Sequence, residues 1–264
     1  MNKRSRNILK ALSSDGIEIK SSRTLANLKS ISPTKVFHKT LEAKVYNDGY
    51  EVPIRAFFPR KKEIDDKHLL LFFHGGGWDT ESIDTYARAC NLLAYETDCV
   101  VVAVEYRLAP EHKFPVPLMD CYAVAKALFA GELVPELNPD TITIIGDSAG
   151  GNMVAAVSLM ARDTGDFLPK SQILIYPATC VEYENPPFRS AYENGSDYIL
   201  TLGKMKDYMN LYLNDDEERK NKYVSPFRET DFTNQPRTMI ITAEFDPLRD
   251  EGEAYGRKLL QAGN

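Results

Sequence analysis

An α/β fold on a mostly parallel sheet, with helices on both faces, is what this sequence predicts. Three patterns carry the prediction. Short uninterrupted apolar runs read as strands buried on both faces. Stretches with apolar residues at helical spacing follow them. The alternation of the two kinds implies βαβ units joined by right-handed crossovers. Of the 264 residues, 43% are hydrophobic and 27% charged, which excludes wholesale disorder and collagen-like repeats.

Residues 1–38 are polar, with weak helical signals at 8–12 and 25–28, and read as an accessory cap segment outside the core. From 39 onward the pattern is that of a core. Runs at 39–46 and 50–58 flank Asn47-Asp48-Gly49, a strong hairpin signal. The run 68–73 (HLLLFF) predicts a buried strand, as do 99–104, 141–145, 171–176 and 237–243. Helices are expected at 81–96, 116–130 and 149–162, and after 248, where Tyr255, Leu259 and Ala262 share a face. The helix at 149–162 is apolar almost all round, as one lying on the middle of a sheet would be. No strand is evident over 178–236, where a helix at 201–213 is expected. An insertion at about 179–236 would join the N-terminal segment as a cap over the strands' C-terminal ends, where open α/β sheets bind ligands.

Lys plus Arg number 32 and Asp plus Glu 38, a formal charge of −6, which argues against a nucleic-acid binder. No apolar run matches a signal peptide or a membrane span, so a cytoplasmic protein is expected. Cys90, Cys99, Cys121 and Cys180 lack metal or redox spacing and read as reduced thiols. Asn194-Gly195-Ser196 fits a glycosylation sequon, but without secretion it reads as a turn.

The chemistry is concentrated in three places. Gly146-Asp147-Ser148-Ala149-Gly150 is a G-x-S-x-G pentapeptide between a strand and a helix. A turn that sharp needs small residues on either side of the nucleophile. It raises Ser148 above the sheet beside a helix N-terminus, which favours negative charge. His74-Gly75-Gly76-Gly77-Trp78 leaves the C-terminal end of another strand, where glycines let backbone N–H groups face a developing oxyanion. A phosphate loop is excluded because no G-K-[ST] follows. Asp246 stands at the tip of a later strand, in the position and chain order of a triad acid. Asp250 reads as a cap of the following helix, and Glu244 as a brace for the loop.

Four segments in this order, HGGGW (74–78), YRLAPEHKFPVP (106–117), GDSAGGN (146–152) and EFDPLRDEGE (244–253), closely resemble the bacterial hormone-sensitive-lipase-like esterases of the α/β-hydrolase fold. The resemblance runs from about residue 40 to the end. It implies hydrolysis of carboxylic esters, with short acyl chains expected under a small cap, and with no metal or cofactor. It makes Ser148 the nucleophile, Asp246 the triad acid, and the N–H groups of Gly75, Gly76 and Ala149 the oxyanion hole.

One requirement of the resemblance is unmet. A serine hydroxyl needs a base, and the family's histidine follows the acid. The histidines here are His38, His68, His74 and His112, all before Ser148. None is expected to substitute, so the triad histidine is missing. The sequence reads as an esterase short of its last strand and helix, nearly inactive as it stands, with an apolar sheet edge open to self-association. The alternative is a catalytically silent hydrolase-like protein that binds small molecules; amide or lactone cleavage is a further variant on the same fold.

Overall fold

The computed structural model describes residues 40–59, 68–135 and 137–264. Among them, seven strands form one sheet: β1 (Thr40–Asn47), β2 (Tyr50–Phe57), β3 (Leu69–Phe73), β4 (Val100–Val104), β5 (Ile142–Asp147), β6 (Ser171–Ile175) and β7 (Arg237–Ile241). Their order is β1-β2-β4-β3-β5-β6-β7. The first two pairings are antiparallel; β4, β3, β5, β6 and β7 run parallel. The helices are α1 (Ile83–Thr97), α2 (Val116–Phe129), α3 (Ala149–Thr164), α4 (Arg189–Glu193), α5 (Leu202–Tyr212) and α6 (Arg249–Gln261). The elements expected over 39–264 are present within a few residues of their expected bounds. The cap segment 1–38 lies outside the described residues.

Side chains alternate across a strand, so one apolar run serves two cores. Leu69, Leu71 and Phe73 of β3 join the larger cluster with α2, α3 and α6, whereas Leu70 and Phe72 join a smaller one with Ile83, Cys90 and Ala94 of α1. This two-sided burial is why β3 carries no polar residue. α3 buries 12 of its residues, as expected of a helix on the centre of the sheet. The hairpin between β1 and β2 turns at Asp48 (φ 43°) and Gly49 (φ 79°), left-handed positions that suit the Asn-Asp-Gly sequence.

Beyond the β2–β4 ladder, the hairpin is tied to α2 by one buried carboxylate. Asp120 of α2, fully buried, receives Arg107 through Nε and Nη2 (2.8 Å each), the Arg107 backbone N–H (3.0 Å) and Asn47 Nδ2 (2.7 Å). The Arg107 guanidinium also lies 4.4 Å from the centre of the Tyr50 ring.

The insertion between β6 and β7 contains α4 and α5 and no strand, as expected. β7 is an outer strand of the described sheet, with Met239 56% and Ile241 41% exposed. Cys90, Cys121 and Cys180 are buried free thiols, and Cys99 is half-buried. No helix among the described residues is long and apolar enough to cross a membrane.

Because removing one partner of a buried ion pair strands the other, Asp120→Ala is expected to cost about 3 kcal/mol of stability. A urea-denaturation midpoint unchanged from the parent would show that the hairpin is held by other means.

Candidate active site

The parallel strands β3, β5 and β7 deliver their C-terminal ends to one rim, and the three chemical segments leave from there. At the end of β5, Ser148 adopts φ 53° and ψ −117°, a conformation that costs an ordinary residue on the order of 1–3 kcal/mol. Its neighbours hold it there. Ser148 N–H donates to Ile175 O (2.9 Å), and Ser148 O accepts from Asn152 N (3.0 Å) and Ala178 N (3.2 Å). The hydroxyl makes no cap bond to the helix behind it and remains half-exposed on the rim.

The flanking glycines are required by contact. A Cβ at Gly150 would lie 2.1 Å from Phe73 O, and one at Gly146 would lie 2.7 Å from the same oxygen and 2.6 Å from Gly150 O. β3 and the elbow after β5 therefore touch backbone to backbone.

Asp147, the unspecified second residue of the pentapeptide, extends that contact. Its Oδ1 accepts the Gly75 N–H (2.9 Å) and its Oδ2 the Tyr86 hydroxyl (2.7 Å). Burial pushes the carboxyl up to about 6, against the pull of these two bonds. The expectation for Gly75 is thereby corrected. Its single N–H is engaged by Asp147, so it is not a free oxyanion donor.

The next two peptides are set differently. Gly75 O accepts from His74 Nδ1 (2.8 Å), and Gly76 O accepts from Thr80 Oγ1 (2.8 Å) and Thr80 N (2.9 Å). In a trans peptide the C=O and N–H point in opposite directions. Tethering those two carbonyls therefore turns the N–H groups of Gly76 and Gly77 the other way. Neither N–H has a partner among the described residues, nor does Ala149 N–H at the first turn of α3, where helical N–H groups are left over.

His74 is a structural residue. Its ring stacks on Tyr106 at 4.3 Å, its Nδ1 faces Gly75 O, and Tyr106 Oη donates to His74 O (2.7 Å). Its Nε2 is buried without a partner among the described residues, Ser148 included, and burial holds the imidazole down to about 4. His112 is exposed on its loop, and His68 precedes β3 at the opposite end of the sheet. His38 lies outside the described residues.

Asp246 is half-buried. Its Oδ1 accepts Leu248 N–H (2.9 Å), its other oxygen takes no hydrogen bond among the described residues, and burial raises its pKa. Asn194 Nδ2, the sequon amide, donates to the carbonyls of Asp246 (3.2 Å) and Glu244 (3.4 Å). Glu244 thus braces the loop through its backbone. Asp250 differs from expectation: it accepts the N–H of Ser190 (2.8 Å) at the start of α4 and does not cap its own helix. Burial raises the pKa of the Tyr176 hydroxyl, just past β6, and the charges of Asp147 and Asp246 add to the rise.

Two further groups have no separate signal in the sequence. Asn152 Nδ2 donates to Ala178 O (2.7 Å) and Val224 O (2.9 Å). Glu251, buried in α6, accepts Thr179 N (2.6 Å) and Cys180 N (3.0 Å) through one oxygen. Together they fix the strand-to-insertion turn whose Ala178 N–H holds Ser148. No cluster of His, Cys, Asp and Glu suited to a metal occurs among the described residues. The site offers a half-exposed hydroxyl, amides without a partner among the described residues and a carboxylate, which is the equipment for acyl transfer.

In the folded chain Asp147 keeps its proton up to about pH 6, whereas an unfolded Asp loses it near 4. Stability from this group therefore falls as pH rises through that window and is constant above it. Asp147→Asn removes the effect. The variant is expected to gain on the parent by on the order of 2 kcal/mol between pH 4 and pH 6, as read by urea unfolding. A difference that stays constant across the window would contradict this reading.

Comparison with known proteins agrees with this equipment. Residues 70–264 match a family described by the alpha/beta hydrolase fold. An arylesterase of Saccharolobus solfataricus is 38% identical over 228 residues, 85% of this chain and 72% of the relative. A carboxylesterase of Mycobacterium tuberculosis is 33% identical over 256 residues, 94% of this chain and 78% of the relative. A solved esterase of Pyrobaculum calidifontis superposes with a TM-score of 0.88 at 34% identity, covering 100% of this chain and 86% of that one. Sheet order, strained serine and these relatives together show that the chain belongs to the hormone-sensitive-lipase-like esterases of the alpha/beta hydrolase fold, a family of carboxylic-ester hydrolases.

Proposed function

We propose that this chain is built to hydrolyse short-chain acyl esters through an acyl-enzyme on Ser148. The observation that carries the reading is Ser148 at positive φ on the rim, with amides of the HGGG loop and of α3 that have no partner among the described residues on the same rim. Ser148 Oγ attacks the ester carbonyl carbon, and the carbonyl oxygen becomes an oxyanion. Gly76, Gly77 and Ala149 N–H groups receive it, Gly75 serving to anchor their loop. The tetrahedral intermediate expels the alcohol, and water then releases the acid. Asp246, with one oxygen uncommitted among the described residues, would orient an imidazole between itself and Ser148. The segments 1–38 and 179–236 read as the cap that bounds the acyl chain.

The imidazole is the limiting part. None of the three histidines among the described residues hydrogen-bonds Ser148. Loss of the base typically costs on the order of 10⁶ in kcat. The 264-residue chain is therefore expected to turn over p-nitrophenyl acetate at near-background rates. Added imidazole should raise that rate, and Ser148→Ala should abolish the increment after subtraction of imidazole's own hydrolysis. Turnover typical of a complete triad without imidazole would overturn this account of the base. No Ser148-dependent increment would overturn the esterase reading and favour a silent binding protein.

We also infer self-association of this chain through β7. Its outer backbone groups are unpaired among the described residues, and Met239 and Ile241 extend an apolar surface beside Ile173 and Ile175. A second copy would cover both. Sedimentation velocity is expected to show concentration-dependent dimers or larger species, reduced by Met239→Lys with Ile241→Lys. A parent that stays monomeric at the highest concentrations tested would rule it out.

A further inference from the structure

The helix α5 meets the oxyanion loop at two points. Met205, Met209 and Tyr212 form its buried stripe, at positions i, i+4 and i+7. Tyr212 stacks on Trp78 at 4.8 Å with the rings 10° from parallel, and Phe114 meets the Tyr212 ring edge-on at 5.9 Å. These contacts fix the helix on the loop. Tyr208 precedes Tyr212 by one turn and so projects from the same side of α5.

The Tyr208 ring lies directly on Gly77. A Cβ at Gly77 would fall 2.4 Å from Tyr208 Cδ1, 2.5 Å from Cγ and 2.7 Å from Cε1. Gly77 has φ +63°, so both its backbone and its surroundings demand glycine. The ring thus occupies the volume that a side chain at 77 would otherwise fill. Tyr208 is only half-buried, and its hydroxyl takes no hydrogen bond among the described residues. Among the described residues this tyrosine therefore has no polar structural task. What it presents to the loop is an aromatic wall.

We propose that Tyr208 is a specificity-determining residue: its ring walls one flank of the oxyanion loop and sets how long a carbonyl substituent the site accepts. The inference rests on the ester-binding reading above and adds to it the residue that limits chain length. With the carbonyl oxygen on Gly77 N–H at ordinary hydrogen-bond distance, about 3 Å, the two groups on the carbonyl carbon lie within reach of that ring. A short substituent fits beside it. A longer one must either turn away or displace a ring whose helix is pinned by the Trp78–Tyr212 stack.

The test is equilibrium binding in a Ser148→Ala background, where no ester is consumed. Two series are titrated by ligand-observed NMR: methyl esters from acetate to octanoate, which lengthen the acyl side, and alkyl acetates from methyl to octyl, which lengthen the alcohol side. An unobstructed apolar site gains about fourfold in affinity per added methylene. With Tyr208 present, that gain is expected to stop after a few carbons in one series. Tyr208→Ala should restore it, so that the eight-carbon ligand of that series binds at least tenfold tighter than in the background. Tyr208→Phe, which keeps the ring, should retain the cut-off, and Tyr208→Leu should give an intermediate one if the alanine variant fails to fold. The same length ranking in the background, Ala and Leu proteins, in both series, would overturn the proposal and leave the esterase site standing. Binding of no ester by any of these proteins would overturn the site reading itself, and this inference with it.

Discussion

The rim of this molecule depends on Asp147. Two neighbouring parallel strands, β3 and β5, end side by side, and their following loops diverge into a glycine-rich segment and a tight elbow. Asp147 belongs to the elbow and holds the first amide of the glycine segment, so the two loops cannot move independently. Placing a carboxyl in that dry position opposes ionisation, which burial alone would make costly. The Gly75 N–H and the Tyr86 hydroxyl offset part of the penalty, and Tyr86 ties α1 into the same junction. Engaging Gly75 in this way also decides which amides remain: those of the two glycines that follow.

Holding Ser148 in a left-handed conformation requires restraint from several directions. It comes from β6 through Ile175, from α3 through Asn152, and from the turn after β6 through Ala178. That turn is in its turn fixed by the buried carboxylate of Glu251 on α6. Four separate elements thus converge on one backbone position. Local strain of a few kcal/mol persists in proteins only under such over-determination.

The strands and helices from residue 39 onward were legible because their apolar periodicity is strong and the sheet is buried on both faces. Leu69–Phe73 and the Asn47-Asp48-Gly49 turn are instances in which local chemistry admits little else. Ser148 was legible from its glycines. The amides without a partner among the described residues sit one residue further along than the motif suggests, because the direction of a peptide N–H follows from where its neighbouring carbonyl is tied, and Thr80 and His74 do that tying through contacts invisible in a motif. The contacts of Asp147 and Glu251 that hold the rim, and that of Tyr208 with Gly77, were not legible at all. Asp147 meets Gly75 across 72 positions, as Glu251 meets Thr179. Their meaning arises only when distant segments are brought together. Asp250 shows the same effect in reverse: an acid in the first turn of α6 looks like a cap for that turn, yet it serves the neighbouring α4.

The stack of Trp78 on Tyr212 has an optical consequence. Trp78 is the single tryptophan of the chain, and it sits at the seam between the glycine-rich loop and α5. Its indole N–H is buried without a partner among the described residues, so its surroundings are dry while the seam is closed. Ultraviolet emission from the whole protein above the tyrosine band therefore originates at one junction, and any widening of that junction would admit water to the fluorophore and shift its colour toward the red.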